Sequence, residues 1–199
     1  MHIQTFESFK EVYGQTHKPV ILFVGPPGSG KGTQSQIVAK ELDYLHVSTG
    51  DILRKSKDSK IKEMMKTGKL LPDDLLAQVV QDFIQDNKDS KGFIFDGYPR
   101  NLDQKDHFQE ILKNTNLEVR NIIFLDVPEK VLGDRIRERA KTSGRPDDAD
   151  PKVFYIRMAE YEEQTLPMIE SMKTDDGFIK INGKEKLETI TKNILKRLK

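Results

Sequence analysis

Short apolar runs alternate along this chain with amphipathic stretches whose hydrophobic residues recur at helical spacing. Val20, Ile21, Leu22, Phe23 and Val24 form an unbroken run rich in β-branched and aromatic residues, the pattern of a strand buried on both faces of a parallel sheet. Gly92–Phe95, Asn121–Leu125 and the FIKI run at 178–181 repeat it, and Tyr44–Val47 gives a shorter strand. Helical patterns fall between them. Residues 33–42 turn Ile37, Val38 and Leu42 inward, and a helix starting at Pro72 carries a stripe of Leu75, Leu76, Val79, Val80, Phe83 and Ile84. Further helices are predicted over 102–113, 129–140, 152–172 (one long helix) and 186–198. Phe6, Phe9 and Tyr13 predict a short helix over 5–14, within an N-terminal extension of residues 1–18. Residues 52–70 are lysine-rich, with only Ile61, Met64 and Met65 as a thin apolar stripe, so they read as a small helical insertion. Strands alternating with helices predict a three-layer α/β/α fold around a parallel sheet of about five strands. Ligands of such folds gather at the carboxyl ends of strands, where the segment from Gly25, Asp96 and Asp126 all stand.

The first strand runs into Gly25, Pro26, Pro27, Gly28, Ser29, Gly30 and Lys31, and a helix-compatible stretch follows from Thr33. Strand, glycine-rich turn, lysine and helix together make a phosphate-binding loop, and the fold class becomes that of the P-loop NTPases. Backbone N–H groups can crowd a polyphosphate only where side chains are absent and φ is unrestricted. The helix aims its positive end at the same anion, and Lys31 adds a mobile full charge. Gly28, Ser29, Gly30, Lys31, Gly32 and Thr33 are therefore the candidate nucleotide-binding residues. Gly32 stands where a Ser or Thr usually follows the lysine, and the hydroxyl arrives one residue later at Thr33.

Composition narrows the picture. A chain of 199 residues is one domain, or one core with small insertions. A net charge of +1 argues against an electrostatic nucleic-acid surface. There is no cysteine, hence neither a disulfide nor a Cys-based zinc site, and His2, His17, His46 and His107 lack metal-ligand spacing. The metal expected is Mg²⁺ carried in with a nucleotide, and no zinc. The first residues have no apolar core of signal-peptide length, and no run approaches membrane-spanning length. A soluble, cytoplasmic protein with no membrane or nucleic-acid partner is expected, by default a monomer.

Four separated motifs stand in order: GPPGSGKGT at 25–33, STGDILR at 48–54, DGYPRNLDQ at 96–104 and DRIRER…SGRPDD at 134–148. With them the chain, from about residue 19 onward, resembles the nucleoside monophosphate kinases, most closely adenylate kinases of the short-lid kind. The resemblance implies a kinase domain over 19–199, with a monophosphate-binding insertion at about 48–77 and a lid at about 140–150. It implies that Lys31 bridges the β- and γ-phosphates of ATP, and that Thr33, with Asp96 through water, holds Mg²⁺. Asp126 also ends a strand, so position along the sequence leaves a choice of carboxylate; similarity selects Asp96. Arg54 and Arg100 would clamp the AMP phosphate. Arg135, Arg139, Arg145 and Arg157 would surround the transferring phosphoryl group and the ATP phosphates. Catalysis is thus assigned to Lys31, Arg100, Arg135, Arg145 and Arg157, with Arg135 and Arg139 on the ATP side and Arg145 and Arg157 reaching AMP as well. Phosphoryl transfer spreads charge over three equatorial oxygens, which planar guanidinium forks stabilise. A monophosphate acceptor is already anionic near neutral pH, so no base or nucleophile is required.

Base choice is implied by Thr49, Gln104, Gly97 and the backbone around Leu71, which resemble the AMP pocket of adenylate kinases. A Gln amide offers the acceptor and donor that match adenine's amino group and ring nitrogen. Asn101, directly after Arg100, is more like the UMP/CMP kinases, which remain the alternative of the same fold. A nucleotide-binding regulatory module without turnover is the alternative of another class. Five residues separate Arg139 from Arg145, too few for a long zinc-capable lid, and the stretch from Arg145 to Arg157 is one residue longer than the family spacing.

Overall fold

The computed structural model describes residues 17–55, 58–67, 70–142 and 150–198. β1 (Lys18–Val24) lies at the centre of a parallel sheet, between β3 (Phe93–Asp96) and β4 (Leu117–Asp126). β2 (Leu45–Ser48) and β5 (Phe178–Asn182) complete the order β2-β3-β1-β4-β5. The unbroken apolar run of β1 follows from this position. Val20, Leu22 and Val24 point into one core, and Ile21 and Phe23 into the other. Burying every residue of a central strand removes the polar alternation that a one-sided sheet would show.

The first core is covered by α4 (Asp73–Asp86), α5 (Leu102–Lys113) and α8 (Leu166–Met172), which bring in Leu76, Val80, Phe108 and Met168. The second is covered by α1 (Lys31–Leu42) and α9 (Leu187–Arg197), through Val38, Ala39, Ile190 and Ile194. A small third cluster of Val127, Leu132, Ile136, Phe154 and Met158 joins α6 (Glu129–Thr142) to α7 (Pro151–Glu160). Between β2 and α4 stand α2 (Thr49–Lys55) and α3 (Ser59–Lys66), and α3 has no buried residue, as its thin stripe implied. No described helix is long and apolar enough to cross a membrane.

Two elements differ from the sequence reading. β4 begins at Leu117, four residues early, because Glu118 and Arg120 interrupt the apolar run and pair with each other at 2.7 Å. The register slips there: Val20 faces Val119 but Ile21 faces Asn121, leaving Arg120 as the extra residue of a bulge. The helix expected over 152–172 is broken by a π turn at Tyr161–Thr165, in which the Leu166 N–H reaches back to the Tyr161 carbonyl. Pro167 is the physical reason, since it has no N–H and its ring crowds the carbonyl four residues earlier. The predicted helix over 5–14 and lid residues 143–149, Arg145 among them, lie outside the described residues.

Candidate active site

The loop after β1 turns on glycines held at positive φ: Gly25 at 141°, Gly28 at 81° and Gly30 at 96°. At Gly28 space is restrictive as well, for a Cβ would stand 2.9 Å from the Leu132 carbonyl oxygen of α6. Gly30 caps α1 and Lys31 opens it, so the helix N-terminus and the lysine face the same space. The Lys31 ammonium donates to the carbonyl oxygens of Gly25 (2.7 Å) and Pro26 (2.9 Å). The side chain as a whole is only partly buried, but its ammonium is held inside the loop. Burial lowers its pKa to about 7, and Arg100, Arg157 and Arg139 push the same way against the carboxylate of Asp96. A polyphosphate supplies the opposite charge and must raise that pKa again. Above about pH 7, ATP binding should therefore take up a proton at Lys31. Calorimetry at pH 8 in buffers of different ionisation enthalpy should show uptake approaching one proton, absent at pH 6 and absent in Lys31→Met. Buffer-independent heats at pH 8 would refute the coupling.

Asp96 ends β3 beside Phe23 of β1 and Ser48 of β2. Its Oδ2 would lie 3.1 Å from a Cβ at Gly32, so a side chain there would need Asp96 to shift slightly. Asp126, the other strand-end carboxylate, is paired with Lys180 at 2.8 Å. Behind the loop, Ser35 Oγ lies 3.1 Å from the Gly32 carbonyl oxygen and 2.9 Å from His46 Nε2, a link between α1 and β2. Burial lowers the His46 pKa, against Asp96 and Asp51, which favours the neutral ring.

Several cavities adjoin at the carboxyl ends of the strands among the described residues, three of them in series. The middle one, about 180 Å³, is lined by the loop from Pro27 to Thr33 together with Asp96, Arg54, Arg100, Arg139 and Arg157. A larger one, about 460 Å³, shares Gly28, Ser29, Gly30, Thr33 and Arg139 with it and extends to Arg135, Glu185, Leu187 and Ile190. A third, about 60 Å³, shares Gly50, Arg54, Arg100 and Arg157 with the middle one and extends to Thr49, Leu71 and Leu76. Arg135 and Arg100 are positioned by backbone. Arg135 donates to the carbonyl oxygens of Ser29 (3.2 Å) and Gly183 (2.8 Å), bracing the loop against the turn after β5. Arg100 donates through Nε to the Gly97 carbonyl oxygen at 2.6 Å, an oxygen that also accepts from Thr49 Oγ1 at 3.2 Å. Gly97 has φ 77°, and a Cβ there would stand 2.7 Å from an Arg100 terminal nitrogen. Arg54 pairs with Asp51 at 2.6 Å, while the Asp51 N–H donates to Ser48 Oγ at 3.3 Å.

The fold thus brings Lys31, Thr33, Asp96, Arg54, Arg100, Arg139 and Arg157 around one space, and puts Arg135 beside the larger cavity. Gln104 is different. It is fully buried and lines none of the three cavities, with its amide engaged by Arg100 and Asp73. The roles of Asp73, Gly183, Glu185 and Leu187 escaped the sequence reading. Each depends on partners many residues away, although Asp73 carried the signal of an acid at a helix start. Hard oxygen donors from Thr33 and Asp96 suit a magnesium ion. No group of three His, Asp or Glu side chains placed to hold a metal occurs among the described residues.

Comparison with known proteins agrees with this geometry. The family model described as adenylate kinase matches residues 23–176. An adenylate kinase of Prochlorococcus marinus (strain MIT 9515) is 38% identical over 187 residues, covering 91% of this chain and 99% of its own. Adenylate kinases of Leptospira biflexa and Flavobacterium johnsoniae are each 36% identical, covering 89% and 88% of this chain and 98% and 95% of theirs. With the family model covering the loop, both strand-end carboxylates and the arginines up to Arg157, the chain belongs to the adenylate kinase family.

Proposed function

We propose that the three adjoining cavities hold ATP and AMP end to end and that the chain catalyses ATP + AMP ⇌ 2 ADP. The observation that carries this reading is the shared wall. The middle cavity has the loop and Arg139 in common with one neighbour, and Arg54, Arg100 and Arg157 in common with the other. Two mutually repelling anions can meet there because amides and guanidinium groups are already in place. In this reading the ATP phosphates lie along Gly28–Thr33 with Lys31 at the β- and γ-phosphates and Arg135 and Arg139 on that side, while Arg145 and Arg157 surround the transferring phosphoryl group and reach AMP as well. Arg54, Arg100 and Arg157 hold the AMP phosphate, and Thr49, Leu71, Gly97 and Gln104 flank its base.

Thr33, and Asp96 through water, would hold Mg²⁺, which when bound offsets phosphate charge and orients the oxygens. The chain's own residues bind, align and exclude water. The insertion at 48–77 and the lid at 140–150 are the segments assigned to closure, which suppresses hydrolysis. The monomeric state and cytoplasmic location are carried over from the sequence and are checked by sedimentation and fractionation.

Incubation with MgATP and each of AMP, CMP and UMP, with products resolved chromatographically, tests the reading. ADP formation fastest with AMP is the expected outcome. A preference for CMP or UMP would favour the pyrimidine alternative, and nucleotide binding without any turnover would favour a regulatory module.

A further inference from the structure

The buried Gln104 amide has a fixed orientation, and the groups that fix it are legible. Its Oε1 accepts from the Arg100 backbone N–H at 2.8 Å, and its Nε2 donates to Asp73 Oδ1 at 2.7 Å. A backbone N–H can only donate and a carboxylate can only accept, so reversing the amide would break both contacts. Asn101 reinforces the arrangement. Its Oδ1 caps α5 by accepting from the Gln104 N–H at 2.7 Å, and its Nδ2 donates to Asp73 at 3.1 Å and 3.3 Å. Asp73 sits in the first turn of α4, at the end of the monophosphate-binding insertion, so the network joins that insertion to the strand-end segment carrying Gly97 and Arg100.

From this we infer that Asp73 is a positioning residue that sets base selection by locking the Gln104 amide. The inference rests on the AMP-side assignment of Gln104 made above. An amide has two N–H donors and two acceptor lone pairs. Asp73 and Arg100 use one of each and leave one of each in a fixed order, acceptor toward Arg100 and donor toward Asp73. Adenine presents an amino donor beside a ring-nitrogen acceptor and matches that order in one pose. Hypoxanthine presents a carbonyl acceptor beside a ring N–H. In the same pose it meets acceptor with acceptor and donor with donor, and a locked amide cannot turn to accommodate it. Unpaired buried polar groups are the strongest source of such discrimination.

The test compares kcat/KM for AMP and for inosine monophosphate in the wild type, Asp73→Asn, Gln104→Leu and the double variant. Asn at 73 can offer a donor or an acceptor, so one of the two restraints on Gln104 is released. The AMP-over-IMP preference of Asp73→Asn should fall about tenfold, mainly through the AMP KM, with the ATP KM unchanged. Adding Asp73→Asn to Gln104→Leu should change the preference no further. Asp73→Ser, which keeps a polar side chain at the helix start, replaces Asn should that variant not fold. Full preference in Asp73→Asn alongside lost preference in Gln104→Leu would overturn the lock and leave the base reading standing. Full preference in Gln104→Leu would overturn the base reading and the lock with it.

Discussion

Lys31→Met should lower kcat by roughly 10²–10³-fold, the usual cost of removing one preorganised positive contact to a transition-state oxygen. The same variant should be more stable than the wild type when no nucleotide is present. The Lys31 ammonium sits among the loop carbonyls, and burial with three arginines nearby brings its pKa from an ordinary 10.5 to about 7. The unfolded chain therefore binds more protons than the folded one between about pH 7 and 10.5. Wild-type stability rises with pH across that window, and the penalty of the buried charge is full below it and gone above it. Methionine carries no such penalty. Its stability advantage should be largest at pH 7 or lower and shrink as pH approaches 10. Thermal unfolding at several pH values, beside steady-state kinetics, checks both halves. Near wild-type turnover would remove Lys31 from the reaction, and a variant less stable at every pH would contradict the buried-charge account.

Arg100→Lys should lower kcat/KM for AMP by about 10–100-fold while leaving the ATP KM nearly unchanged. Charge-assisted hydrogen bonds are worth about 1.5–3 kcal/mol each, and the fork geometry matters as much as the charge. Arg100 is anchored through Nε to the Gly97 carbonyl and lines both the middle cavity and the one of about 60 Å³ beside it. A lysine can hold that carbonyl or reach a phosphate, but its single nitrogen cannot do both along a planar fork. Initial-rate kinetics with each substrate varied in turn separates the two sides. An unchanged AMP kcat/KM would show that Arg100 does not contact the acceptor phosphate.

The two substitutions act on groups that line the same middle cavity, and their electrostatics are joined. Arg100, Arg139 and Arg157 help hold the Lys31 pKa down. Positive groups gathered in this way repel one another, and two polyanions relieve that repulsion. Stability is given up where function needs charge concentrated, the trade expected of an active site.

The order of strands and helices, the two-faced burial of β1 and the phosphate loop were fixed by local rules. A central strand needs an unbroken apolar run, and a loop that wraps phosphate needs glycine at positive φ with a helix behind it. Those requirements act within a dozen residues, so they can be read directly from the chain. The arginine assignments came by resemblance, because an arginine's neighbours in sequence do not say which cavity it faces. Folding decided that Arg135 braces Ser29 against Gly183, that Lys180 takes Asp126 while Asp96 stays with the loop, and that Asp73 holds Gln104. It also decided the bulge at Arg120 and the π turn ahead of Pro167. Each of these is a contact across tens of residues or a competition between backbone geometries. The strength of such contacts depends on distance and burial, which only the packed chain supplies.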